Sequence, residues 1–238
     1  MATLNLLYKH NYAINDKINI VIPTVRQIIE NEDEYYSIVS MLTAMPIDMM
    51  LWLDEVGIDF TSINDYELFL YLFPSLTMMD TSLIFGDLDL SLFMLDQNPN
   101  NGLPILIDKK NNIVIDRAIH GQIAATLRKI HHLKKNRRKP ANDEVKKYML
   151  QREKQKARRR KNRTETSQLE SLIVAMVNTE QYKYDYETSL DLTIYQFNES
   201  VKQIIKKVDY EHKMAGIYAG TIDPKGMSQD DLNWLIHK

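Results

Sequence analysis

The stretch Lys17-Ile18-Asn19-Ile20-Val21-Ile22-Pro23-Thr24-Val25-Arg26-Gln27-Ile28-Ile29 passes from strand to helix with no loop between them. Isoleucine and valine fill Lys17–Ile22, and such branched side chains suit a pleated surface. Pro23 has no amide to give a ladder, so the strand stops there. The Thr24 hydroxyl can accept from the amide three residues on, while the Gln27 side chain reaches back, which is a capping box. Val25, Ile28, Ile29, Tyr35, Tyr36, Val39 and Leu42 then recur at helical spacing, with a break near Asn31. Upstream, Leu4–Tyr8 reads as a second strand, joined to the first through the polar stretch His10–Asp16. The chain therefore begins as a β-hairpin that feeds a helix.

Working outward, the pattern stays mostly helical. Helices are expected over Pro46–Val56, ending at Gly57, and over Asp65–Phe73, capped by Asn64 with Glu67 and closed by Pro74. Another is expected over Ser75–Phe85, ending at Gly86. Leu88–Leu95, Leu103–Asp108 and Asn112–Ile115 read as strands parted by Asn- and Gly-rich turns. They are expected to join the first hairpin in one small antiparallel sheet. Asp116 caps a helix to about Lys135, Asn142 one to about Lys161, and Ser167 a third. A long helix is expected from about Thr188 to Tyr218, and a terminal one after Ser228. The fold class is mainly α (α+β): a multi-helix domain with a small antiparallel β-hairpin sheet and a projecting basic helical arm. The expected division is residues 1–127, a basic arm at 128–163, and a helical region at 164–238 that packs with the first as one domain.

Charge marks the arm. Arg128–Arg163 carries 17 Lys/Arg against 3 Asp/Glu, a net of +14, whereas the remaining 202 residues carry a net of −16. Folding does not need such separation, so it points to a partner of complementary charge, or to contact between the arm and an acidic body. The apolar residues of the arm helix stop at Leu150, apart from Ala157, so its last turns have no face to bury.

Cysteine is absent, which removes disulfides, thiolate metal sites and cysteine nucleophiles and fits a reducing compartment. No apolar run approaches the roughly 20 residues of a membrane helix. The N-terminus lacks the marks of a signal peptide. A cytoplasmic protein is expected, with no cofactor. A phosphate loop at Gly220–Gly226 fails on residue order and on Pro224. A calcium loop from Asp96 lacks the glycine and the closing Glu. Asp87 and Asp89 could share a divalent ion, but a solvated turn is the simpler reading. His131 and His132 are adjacent, not at metal-binding helical spacing, and no Gly-x-Ser-x-Gly elbow is present. No enzyme is expected.

Two binding surfaces remain. Lys134, Lys135, Arg137, Arg138, Lys139, Arg158, Arg159, Arg160, Lys161 and Arg163 could contact nucleic acid or an acidic partner. Against nucleic acid, the stretch has a single aromatic residue, Tyr148, for stacking. Met41, Met45, Met49, Met50, Met78 and Met79 are read first as gap-filling core and second as an adaptable partner groove.

Four stretches also carry a resemblance: Ile22–Glu30, Ile84-Phe85-Gly86-Asp87-Leu88-Asp89, Ala175-Met176-Val177-Asn178, and Gly216–Gly220 followed by Leu232-Asn233-Trp234-Leu235. Together and in this order they resemble tail-morphogenesis proteins of tailed bacteriophages and prophages of low-GC Gram-positive bacteria. The layout is similar to that of tail assembly chaperones. The resemblance implies a non-enzymatic role: binding the tape measure protein, or another tail protein, until the tail tube forms around it. It brings no catalytic residues and leaves the Arg158–Arg163 cluster unmatched. A structural virion component and a nucleic-acid-binding protein stand as alternatives.

Overall fold

A computed structural model describes residues 6–160, 167–228 and 231–235. The opening hairpin forms, but its first strand lies later than expected. Strand β1 is Asn11–Ala13 and β2 is Asn19–Val21, paired antiparallel with Tyr12 opposite Ile20. The Asn15 side chain accepts from the amides of Lys17 and Ile18 and so tightens the turn. Of the strand expected at Leu4–Tyr8, Leu4 and Asn5 lie outside the described residues, and Leu6 is a buried anchor. Ile18, Ile20 and Ile22 alternate inward and are almost completely buried.

Thr24 caps helix α1 (Val25–Ile29) with the full capping box to Gln27. The break at Asn31 separates it from α2 (Glu32–Thr43). Helix α3 (Met50–Glu55) is shorter than expected, because Pro46–Met49 form turns. Helix α4 (Asp65–Leu76) has the Asn64–Glu67 box and runs on past Pro74, while α5 (Ser82–Phe85) ends at Gly86 with φ 62°. Strands β3 (Met94–Gln97), β4 (Pro104–Asp108) and β5 (Ile113–Ile115) form a three-stranded antiparallel meander. It does not merge with the β1–β2 hairpin as expected. The two sheets meet through Lys17, whose Nζ donates to the carbonyls of Asn111 and Asn112 at 2.8 and 2.9 Å.

Helix α6 (Arg117–Ile130), capped by Asp116, is the centre of the body. It ends five residues before the expected Lys135, where His132 turns at φ 54°. Its face of His120, Ile123, Ala124, Leu127 and Ile130 is buried, and it packs on α2, α4, β2, β5 and the start of α10. Helix α7 (Asp143–Arg160) follows, then α8 (Gln168–Val177). The expected long helix is two, α9 (Tyr186–Asp191) and α10 (Ile194–Tyr218), because Leu192 and Thr193 are extended. Thr24 and Thr193 face each other in an antiparallel bridge: the Val25 amide donates to the Leu192 carbonyl at 2.9 Å, and the Ile194 amide to the Pro23 carbonyl at 2.8 Å. Each threonine caps its own helix, with Gln27 or Gln196 completing the box.

Leu169, Ile173, Met176, Ile194 and Phe197 share one apolar cluster with residues from β2, α1, α2, α4 and α6. A smaller cluster gathers Ala44, Ile47, Met50, Leu53, Phe60, Leu68 and Leu72. Beyond its first turns α10 packs Val201 and Ile204 on the larger cluster, and the chain after it folds back along it. The Gln203 amide donates to the Trp234 carbonyl at 3.0 Å, Lys213 pairs with Asp231 at 2.8 Å, and Lys207 sits over the Trp234 ring. Ser228 and Asp231 hydrogen-bond reciprocally, while residues 229–230 and 236–238 of the expected terminal helix lie outside the described residues. Among the described residues, no helix is long and apolar enough to cross a membrane.

Candidate functional site

The two candidate surfaces meet at one groove. After α6, residues 133–140 run without regular structure over the smaller apolar cluster. They are held at their near end and at Lys135 and Asn136. Arg128, in the last turn of α6, donates to the Thr43 carbonyl at the end of α2, where a cation also suits the helix dipole. The Asn136 amide donates to Asp48 at 2.7 Å, and Lys135 pairs with Asp65 at 2.6 Å. Burial is the largest influence and pushes the Asp65 carboxyl up, but the hydrogen bond and the charge of Lys135, with smaller local contributions, together hold the group below the usual range.

Between this strap and the body lies an open groove of about 290 Å³. Met45, Pro46, Ile47, Phe60 and Ile63 form its floor. Lys135, Asn136, Arg137, Arg138, Lys139 and Pro140 form one wall. Arg137, Arg138 and Lys139 are exposed and make no ion pair with a described residue. With Asp65 already neutralised by Lys135, the rim carries a net positive charge beside an apolar floor.

Within the span expected as a projecting arm, residues 143–160 form helix α7, which is seated on the body. Lys146, Met149, Leu150, Glu153 and Ala157 recur at helical spacing along the part-buried side of α7, which packs on α3. Met149 and Leu150 touch the smaller apolar cluster. Lys146 pairs with Asp59 at 2.6 Å and lies 5.7 Å from the Phe60 ring centre, and Lys154 pairs with Asp54 at 2.8 Å. The Lys146 hydrogen bond lowers the Asp59 carboxyl to about 2, with help from the amide and hydroxyl of Thr61. Pairs Lys135–Asp65, Lys146–Asp59 and Lys154–Asp54 thus form a ladder from groove to arm. The arm meets an acidic strip of its own body, one of the two arrangements its charge implied.

Lys134, Arg158 and Arg159 are exposed away from this ladder. The Arg160 side chain, Lys161 and Arg163 lie outside the described residues. The methionines do not form one surface. Met50 is buried, Met41, Met45 and Met49 pack on the smaller cluster, Met79 packs on the larger one, and Met78 is 88% exposed. Only Met45 reaches the groove. Phe60 and Ile63 of the floor had no sequence signal beyond being apolar, because they sit in the loop between α3 and α4.

Asp89 caps a short 3-10 turn, Leu90–Leu92, by accepting from the amide and hydroxyl of Ser91 at 2.9 and 2.6 Å, and Asp96 pairs with Lys109. Among the described residues, no group of three His, Asp or Glu is placed to hold a metal ion. His131 contacts the Tyr35 hydroxyl at 3.0 Å, and His132 lies 3.1 Å from Glu199.

Residues 159–237, about one third of the chain, match the family model described as YomV second domain. The match fits a phage-type protein of low-GC Gram-positive bacteria. It covers α8, α9, α10 and the chain that folds back on α10, but not the groove. No curated protein and no solved structure matches the chain.

Proposed function

We propose that the protein is a non-enzymatic assembly factor of phage tail morphogenesis, acting in the host cytoplasm as a chaperone for the tape measure protein or another tail protein. The observation that carries this reading is the groove of Met45, Ile47, Phe60 and Ile63 beneath a cationic strap. A long helical protein awaiting assembly exposes apolar stripes that aggregate unless covered. An apolar groove with charged edges is the surface that receives such a stripe. The phage-type match over residues 159–237 and the resemblance of Ile22–Glu30 and Ile84–Asp89 to tail-morphogenesis proteins support the setting.

Co-expression with the tape measure protein tests the reading. Higher tape measure solubility and co-purification are the expected results, and the reading fails if neither occurs. Presence in purified particles would instead favour a structural virion component. One observation favours a nucleic-acid role: Arg158 and Arg159 are exposed at the end of α7 and pair with no described carboxylate. Such binding would fall steeply as salt rises.

A further inference from the structure

We infer that the groove recognises an acidic amphipathic segment of its protein partner, with apolar side chains on the floor and carboxylates against Arg137, Arg138 and Lys139. The inference rests on the assembly-factor reading and names the chemistry that this site selects.

Three observations lead to it. First, the charge at the rim is not balanced from within. Lys135 is matched by Asp65, and the neighbouring Asp48 already accepts from Asn136 and from the Met45 amide. Arg137, Arg138 and Lys139 have no such match among the described residues. The ladder itself is neutralised by Asp59 and Asp54, so complementary charge is still missing at the groove rim, as it is at Arg158 and Arg159 away from the apolar floor. Second, the floor is apolar and anchored. Ile47 and Phe60 are 6% and 5% exposed, and both belong to the smaller core cluster. A carboxylate on this floor would be desolvated without a partner, whereas the same carboxylate at the rim meets guanidinium groups. Third, the volume of about 290 Å³ lies just below the roughly 300–1,000 Å³ of ligand clefts. It admits a few side chains from one face of a segment and leaves the other face outside.

The same features disfavour nucleic acid at this position. A phosphate backbone would satisfy the cations but leave the apolar floor unused. The one ring in the floor, Phe60, is buried in the core cluster and cannot stack on a base.

Fluorescence anisotropy on the full-length protein tests this with three labelled probes: a helical peptide of leucine and glutamate at amphipathic spacing, the same peptide with lysine for glutamate, and a single-stranded oligothymidylate. The leucine–glutamate peptide should bind best. Arg137→Glu with Arg138→Glu should weaken it by about tenfold or more. Ile63→Asp should weaken it as well. Arg158→Glu with Arg159→Glu, off the groove, should leave it within about twofold. Unchanged thermal melting confirms that each variant folds. Equal binding of the two peptides, indifference to the Arg137 and Arg138 reversals, or displacement of the peptide by oligothymidylate would each overturn the inference. Tape measure protein that still co-purifies with the Arg137→Glu, Arg138→Glu variant sinks the inference and spares the chaperone reading. A peptide that binds in the groove while tape measure protein never co-purifies does the reverse.

Discussion

His120 shows what a single residue can reveal that a sequence hides. It lies 2% exposed on the inner face of α6, stacked on Phe69 with ring centres 4.3 Å apart, and its Nε2 has no hydrogen-bond partner among the described residues. Burial pushes it down to about 4, and burial does the same to His131. Both rings are therefore neutral in the folded protein at neutral pH. Unfolded, they titrate near about 6.5. Between these values the unfolded chain binds more protons, so stability is full above about pH 6.5 and drains as pH falls toward 4. The loss is on the order of 3 kcal/mol per histidine. Urea midpoints at pH 7 and pH 4.5 measure it, and His120→Phe should retain more of its stability at pH 4.5 than the parent. An identical drop would show that His120 is not responsible. The spacing of His120, Ile123, Ala124 and Leu127 places this residue on a buried face, so the burial could have been read from sequence. The stack on Phe69 could not, because α4 and α6 meet only in the folded chain.

At the level of the element, most boundaries were legible through their caps. Thr24 with Gln27, Asn64 with Glu67, Asp116 and Ser167 all stand where the sequence placed them. The break between α9 and α10 was not, because Leu190, Ile194 and Phe197 keep a helical rhythm across it and mask Thr193. Thr193→Ala should cost about 1 kcal/mol by chemical denaturation, as should Thr24→Ala. The seating of α7 was legible only as one of two readings of its charge, since long lysine side chains supply much of the contact in place of an apolar stripe. Lys146→Glu with Lys154→Glu should speed amide exchange across residues 143–160. Global stability should change by less than about 1 kcal/mol, because both pairs are partly solvated. Unaltered exchange would mean that Met149 and Leu150 suffice. Acid should loosen the same helix late: the lowered Asp59 carboxyl keeps its contribution above its unfolded value of about 3.8 and loses it as pH falls through about 2.

Across the whole molecule, the fold class followed from the sequence, while the separation of the two sheets did not. Hairpins are local and their turns are visible, but which edges pair between hairpins depends on where α6 lies, and that is a tertiary outcome. The candidate site was half legible. Its cations stood out by density, whereas its floor is assembled from the loops on either side of α3. Phe197→Ala should cost about 3–5 kcal/mol, because this ring is 0% exposed in a cluster drawn from both ends of the chain. The antiparallel bridge between Thr24 and Thr193 extends that thought. Arg26 reaches Glu187 and Asp191 at 3.0 Å, and Glu32 accepts from the Leu169 amide at 3.0 Å, so the family-matched region is clasped by the first helices rather than standing on its own. A gene divided between the codons for residues 160 and 167 should yield two fragments that are each insoluble when made singly and that recover one soluble particle when made together. The protein would then serve as its own split reporter, with reassembly driven by a clasp that evolution placed 169 positions apart along one chain.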